Sequence, residues 1–325
     1  MPRNRLTRSL AGTGAALLSV AALAACSDGG SGGDAGDDYP SEDITLIVQA
    51  AAGGGSDLTS RALAAELEPL LDTSIVVENR PGASGSTAMQ YVRDEEPDGY
   101  TIGFVPVEIA MLGHQGFDVL PEDYDFIGQI MLAPGALVVP NDSPYETFED
   151  FIEGAKETPL AVGNSGAGSI WEAAAFGVAD ATGAQLESVP FDGGAPAVTA
   201  VIGGQIDAAV GGVGEVSAAA DDGQLRPLAI FHDERHPDLP DVPTAAEAGY
   251  DDLEFGGWGG IYAPKDLPDD VRATLEEAVE AAATSDGFVE TLAASGPLPV
   301  YRDSAEFQEF VLSEYERFGE ILGSR

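Results

Sequence analysis

Ile44-Thr45-Leu46-Ile47-Val48 leads into Ala51-Ala52-Gly53-Gly54-Gly55-Ser56-Asp57, and then into a Leu-rich stretch ending at Leu71. The first run has almost no polar break and predicts a buried strand. Glycine and serine then make a turn. Leu58, Leu63, Leu67 and Leu70 predict a helix over 57–71 with these leucines on one side. The order repeats at once: Ile75-Val76-Val77 as strand, Ser86 to Arg93 as helix, Thr101-Ile102-Gly103-Phe104-Val105 as strand. Strand, helix, strand, helix, strand with short connections argues for a parallel sheet covered by helices.

The rhythm resumes further on. Leu160-Ala161-Val162, Leu186-Glu187-Ser188-Val189, Ile206–Val210 and Pro227–Phe231 predict strands. Ser169 to Ala181, Pro196 to Ile202 and Gly214 to Ala220 predict helices. In the tail, Val271, Leu275, Ala278, Val279 and Ala282 have helical spacing. So do Phe307, Phe310, Val311, Phe318, Ile321 and Leu322. These stripes read as core-facing surfaces. The fold class is α/β, and two similar blocks predict two domains with a cleft between them.

Four Gly-rich turns join predicted strands to predicted helices. They are 51–57, Asn79-Arg80-Pro81-Gly82-Ala83-Ser84-Gly85-Ser86, Gly163-Asn164-Ser165-Gly166-Ala167-Gly168-Ser169, and Phe191-Asp192-Gly193-Gly194-Ala195-Pro196. In a parallel sheet such turns share the carboxyl edge, where ligands bind. Each following helix offers unpaired N–H groups and a partial positive charge. Several such ends facing one cleft form a site for anionic oxygens without lysine or arginine. The plainer reading is that such turns need Gly and Ser for geometry and capping. Ser169-Ile170-Trp171-Glu172 is itself a capping box, and Asp57 with Arg61 is an i, i+4 pair.

Charge narrows the partners. The chain has 56 acidic and 14 basic residues and a formal net charge of −42. Such a surface repels phosphate backbones and anionic headgroups, which argues against nucleic acid. The acidity reads as an adaptation to salt or to solubility, and most carboxylates should be solvated.

The start of the chain reads as an export signal. Arg3, Arg5 and Arg8 precede an apolar stretch from Leu10 to Ala25, which ends in Leu23-Ala24-Ala25-Cys26. Basic, apolar and small-residue regions in that order make a signal peptide over 1–25. The stretch is short for a membrane span. Leu-Ala-Ala-Cys resembles a bacterial lipobox, with Cys26 as the lipidated mature N-terminus. Residues 26–39 hold that cysteine and an acidic Gly/Ser/Asp spacer that cannot bury a core. Removal of three arginines with the leader takes the formal charge from −42 to −45. Cys26 is the only cysteine, so the exported fold holds no disulfide.

Enzyme and metal signatures are weak. Gly-x-Ser-x-Gly fails at Ala167, and no turn completes a P-loop. His232-Asp233-Glu234-Arg235-His236 is not His-Glu-x-x-His and runs into Pro237 and Pro240, so a metal site is not expected. His114 is isolated. Nucleophilic catalysis lacks an obvious base.

Further elements carry a family resemblance. Gly54-Gly55-Ser56-Asp57 with Arg61, Val77-Glu78-Asn79-Arg80-Pro81-Gly82-Ala83-Ser84-Gly85 and Pro97-Asp98-Gly99-Tyr100-Thr101 come in order. Ser165–Ser169, Gly193-Gly194-Ala195-Pro196-Ala197, Gly203-Gly204-Gln205-Ile206-Asp207 and Leu225–Ala229 follow. Leu239–Tyr250, Trp258 and Ala263-Pro264 complete the set. Together they resemble the extracytoplasmic solute receptors of tripartite tricarboxylate transporters, the Bug receptors, over nearly all of the folded chain.

The resemblance implies a type II periplasmic-binding-protein fold that closes on a small solute. It implies a first domain of 40–139 plus 258–325 and a second of 140–257. It implies ligand contacts from Gly54, Gly55, Ser56 and Asp57 on one side, and Asn164, Ser165, Gly168, Ser169, Phe191 and Gly194 on the other. Ser84 and Gly85 would lie at the cleft edge. Glu172, Phe191 and Asn164 depart from the common histidine, tyrosine and serine of the family, and Glu108 borders the same cleft. Added acid and a lost hydroxyl lean toward a mono- or dicarboxylate, aromatic ones included.

The expected function is a monomeric, lipid-anchored receptor outside the cytoplasm. It captures a small organic carboxylate and delivers it to membrane permease subunits, without catalysis or cofactor. A ligand sensor that signals to a membrane partner is the alternative.

Overall fold

The computed structural model describes residues 39–323. The predicted leader, Cys26 and nearly all of the spacer lie outside the described residues. No helix among the described residues is long and apolar enough to cross a membrane.

Strand β1 (Ile44–Val48) lies between β2 (Ile75–Asn79) and β3 (Thr101–Pro106), parallel to both. Helices α1 (Gly55–Leu71) and α2 (Ser86–Arg93) make the crossovers. This block follows the sequence reading closely. One correction concerns α1. Its core face is Leu63, Ala64, Leu67 and Leu71, whereas Leu58 and Leu70 are 52% and 50% exposed. Leu58 lies five residues from Leu63, about 140° round the helix, so the two cannot share a narrow stripe.

Strand β4 (Tyr124–Pro140) organises the molecule. Its first part, to Pro134, pairs antiparallel with β9 (Gly256–Pro264), which pairs in turn with β3. From Gly135 onward it pairs with β7 (Ala208–Gly212) and β8 (Leu225–Phe231). β5 (Leu160–Asn164) runs parallel to β7 and to β6 (Leu186–Pro190). β10 (Leu298–Arg302) adds to the first part of β4. The ladder therefore curls through β4 in the order β2-β1-β3-β9-β4-β7-β5-β6.

Helices α3 (Phe148–Glu157), α4 (Ile170–Thr182), α5 (Gly194–Ile202) and α6 (Val213–Asp221) belong to the second block. α4 starts at Ser169, whose Oγ accepts from the Glu172 N–H at 3.3 Å. It ends at Gly183, with φ of 74°, a left-handed stop that glycine adopts without strain.

The chain then returns to the first block. α7 (Asp269–Ala283) buries Val271, Leu275 and Val279 in one cluster with Leu63 and Leu67. α8 (Asp286–Ala293) adds Phe288 and Leu292 to it. α9 (Ser304–Gly323) packs Phe307, Val311 and Phe318 into a second cluster that contains Phe126, Trp258, Trp171 and Phe148. Asp125 pins this return. It accepts from Lys265 Nζ and the Leu267 N–H, both at 3.0 Å, and pairs with Arg272. The surrounding cations and this N–H hold its carboxyl below the ordinary carboxylate range despite burial.

Candidate functional site

A cavity of about 540 Å³ opens where the carboxyl ends of β1 and β3 face the turn after β5. The first block contributes Gln49, Gly55, Ser56, Thr59, the turn 82–85, Phe104 and Val107–Glu108. The second contributes 165–171. Met131, Trp258 and Pro297 complete the wall. Aromatic and aliphatic surface surrounds a few hydroxyls and backbone groups, the usual composition of a small-molecule site.

Of the residues named from sequence, Gly55, Ser56, Ser84, Gly85, Ser165, Gly168 and Ser169 line this cavity. Gly54, Asp57, Asn164, Phe191 and Gly194 stand outside its wall. The Gly54 N–H donates to Ala51 O at 3.1 Å, which closes the turn. The Asp57 side chain lies beneath the turn and accepts from the Gly53 N–H (2.8 Å), Asn79 Nδ2 (2.8 Å) and Arg61. The Arg61 guanidinium and these hydrogen bonds lower its carboxyl pKa to about 2. Asn164 is fully buried; its Nδ2 donates to Ser188 Oγ and its Oδ1 accepts from the Gly166 N–H. Phe191 packs against the β5–β7 layer. The fourth turn is filled from behind: Glu215, which accepts from the Gly212 N–H at 2.9 Å, occupies the space beside Gly194.

Among the free donors are the first-turn N–H groups of two helices. In α1, hydrogen bonding within the helix begins with the Leu58 N–H to Gly54 O, leaving Gly55, Ser56 and Asp57 without a helical acceptor. In α4 the Glu172 N–H is capped by Ser169 Oγ and the Ala173 N–H reaches Ser169 O. Ile170 and Trp171 remain, and both line the cavity. The Ser169 N–H, a natural first guess for a ligand donor, already bonds Gly166 O at 3.2 Å. Sequence reasoning named Ser169 and overlooked Ile170 and Trp171, although the capping box marks them as the uncapped pair.

Glu172 takes only half of a capping box. Its carboxylate accepts from the Gly168 N–H at 2.7 Å and from Ser188 Oγ at 2.8 Å, not from the Ser169 N–H. Gly168 has φ of +77°, so the turn needs glycine there. Gly85, at φ of +94° and close to Gln49, is the matching case in the first block.

Among the described residues no arginine or lysine lines the cavity, and Glu108 is the one ionisable lining residue. It is half-buried, and desolvation pushes its carboxyl above the ordinary range. Gln49 and Thr59 were not anticipated from sequence. Gln49 Nε2 donates to Ser56 Oγ at 2.9 Å, while its Oε1 is buried without a partner.

The two histidines of the 232–236 segment diverge. His232 pairs with Asp233, while His236 is buried with Nε2 bonded to Gly296 O at 3.0 Å. His114 stacks on Tyr315 and bonds its carbonyl at 2.8 Å.

Fold and cavity together define a two-domain solute-binding receptor of the type II periplasmic-binding-protein class. Residues 59–325 match the model of the tripartite tricarboxylate transporter family receptor, and the chain belongs to that family. A UPF0065 protein of Agrobacterium vitis, from the TAR-I ttuE-ttuC' intergenic region, is 32% identical over 294 residues, covering 88% of this chain and 85% of the relative. A TctC solute-binding protein from Polaromonas, solved without ligand, has a TM-score of 0.81 at 30% identity, covering 88% of this chain and all (100%) of the other. An R. palustris protein solved with adipate has a TM-score of 0.75 at 28% identity, covering 88% and 99%.

Proposed function

We propose that this chain is an extracytoplasmic receptor that captures a small organic carboxylate by closure of two domains, 40–139 plus 258–325 and 140–257. It then delivers the solute to membrane permease subunits. The observation that carries this reading is the pairing of two helix starts with unpaired N–H groups, α1 and α4, on opposite walls of one cavity that no basic side chain lines among the described residues. Aligned N–H groups hold carboxylate oxygens well in such a place, because water that would compete is displaced. They act locally, whereas salt screens the acidic surface beyond about 8–10 Å. The adipate complex of a relative supports the ligand class.

Ligand contacts are assigned to Gly55, Ser56, Ser84, Gly85, Ser165, Gly168 and Ser169, with Ile170 and Trp171 added. Gly54, Asp57, Asn164, Phe191 and Gly194 support these turns from behind. The mature receptor is a monomer anchored by lipid on Cys26, and the spacer gives it reach to its permease. It carries out no reaction.

A thermal-shift screen of the mature chain tests the ligand class. Binding to the folded state alone raises melting by mass action. Organic acids should raise it, and sugars should not. A panel in which only neutral solutes stabilise the protein would sink the reading. Mass spectrometry of the mature N-terminus tests the anchor: a diacylglyceryl mass on Cys26 is expected, and an unmodified or absent cysteine contradicts it.

A further inference from the structure

Glu108 leaves the cavity wall with an acidic group that no cation matches among the described residues. The Glu108 carboxyl follows β3 and has no basic partner among the described residues. Gln49, at the end of β1, gives its amide N–H to Ser56 and keeps Oε1 buried and unpaired. Buried acceptors without donors are costly, and proteins rarely leave them so unless something else completes them. Glu108 lines a cavity made for a solute, with no cation among the described residues of its wall. The opposite requirement holds at the starts of α1 and α4, where N–H groups lack acceptors.

Resting on the carboxylate reading above, we infer that Glu108 is a specificity-determining residue that pairs with an ammonium group on the ligand, so the cargo is an amino-carboxylate. A proton on Glu108 would satisfy that carboxyl alone. An ammonium carries three N–H donors and the charge opposite to that of the Glu108 carboxylate. It also lowers by one the negative charge that the ligand adds to a chain of charge −42. Among the described residues no other titratable group lines the cavity, so Glu108 sets the charge of that wall. Charge-assisted hydrogen bonds of this kind are the strong ones, and a desolvated carboxylate discriminates sharply against a ligand that brings none.

Matched pairs test this on the mature chain: succinate with aspartate, glutarate with glutamate, and phenylpropionate with phenylalanine. Melting shifts and titration calorimetry are read for the wild type and for Glu108→Gln. In at least one pair the wild type should bind the amino member about tenfold or more tightly. Glu108→Gln should erase that preference and raise affinity for the des-amino acid. The wild-type comparison stands without the variant, and unliganded melting reports whether Glu108→Gln folds. Tighter wild-type binding of the des-amino member overturns the inference while leaving the receptor reading intact. So does an amino preference that survives Glu108→Gln. If no carboxylate of either kind binds, the receptor reading fails first and takes this inference with it.

Discussion

The Glu172 carboxylate accepts the Gly168 N–H at 2.7 Å and so clamps the turn that carries the second wall of the cleft. Its other oxygen accepts from Ser188 Oγ, and Ser188 Oγ accepts from Asn164 Nδ2. Asn164, Ser188, Glu172 and Gly168 thus form one chain of hydrogen bonds behind the turn. Glu172→Ala should cost about 1–3 kcal/mol of stability, because it leaves a backbone donor and a hydroxyl unpaired. Glu172→Gln keeps an acceptor and should lose less. Urea unfolding of both variants checks the order, and a Glu172→Ala protein as stable as wild type would refute the clamp.

Asp57 does the same job beneath the first wall, and its chemistry gives a pH dependence. Its folded pKa is depressed from 3.8 to about 2, first by the Arg61 hydrogen bond. A depressed acid contributes stability above its unfolded pKa, and that contribution is lost as pH falls through the folded value. Stability should therefore drop between about pH 4 and pH 2. In Asp57→Asn, which is less stable at neutral pH, that part of the drop should be missing. Parallel acid-unfolding curves for the two proteins would contradict this role.

Both tryptophans of the chain, Trp171 and Trp258, line the cavity. Trp258 Nε1 is held by Glu314 at 3.2 Å, and Trp171 sits in the first turn of α4. A ligand in this cavity should change intrinsic fluorescence with the same midpoint as its calorimetric isotherm. The response should persist in part in Trp258→Phe. A carboxylate that binds yet leaves the emission of both proteins unchanged occupies another place.

Gln115 precedes β4, and its Nε2 donates to Gly168 O at 3.0 Å on the facing turn. This bond spans the cleft beside the cavity. Gln115→Ala should weaken ligand binding several-fold, in line with the about 0.5–1.5 kcal/mol of one such bond. Unliganded stability should change less. An unchanged dissociation constant would show that the bond has no part in closure.

The parallel blocks were legible because each strand and helix there carries its own period and its own turn. β1, α2 and β3 fall within one residue of their sequence-derived spans. β4 and β9 were not legible. Pro134-Gly135 looks like a break in the sequence of β4, yet it is where the strand changes partners from β9 to β7 and β8. Gly256-Gly257-Trp258-Gly259-Gly260 has no strand-like run of side chains, yet it is strand, and neighbouring side chains and backbone approach Gly256, Gly259 and Gly260 too closely for a Cβ. The site divides in the same way. Gly-rich turns announce themselves, whereas Gln49, Thr59 and Met131 reach the cavity only through strand and helix placement. Nor does sequence reveal which donors are spent internally: the Gly54 and Ser169 N–H groups are, and those of Ile170 and Trp171 are not.

Amide chemical shifts test the central claim most directly. The uniformly ¹⁵N-labelled mature chain is titrated with the carboxylate that stabilises it most. The amides of Gly55, Ser56, Ile170 and Trp171 should move together and saturate at one dissociation constant. Saturable carboxylate binding that leaves those four amides in place would contradict the account.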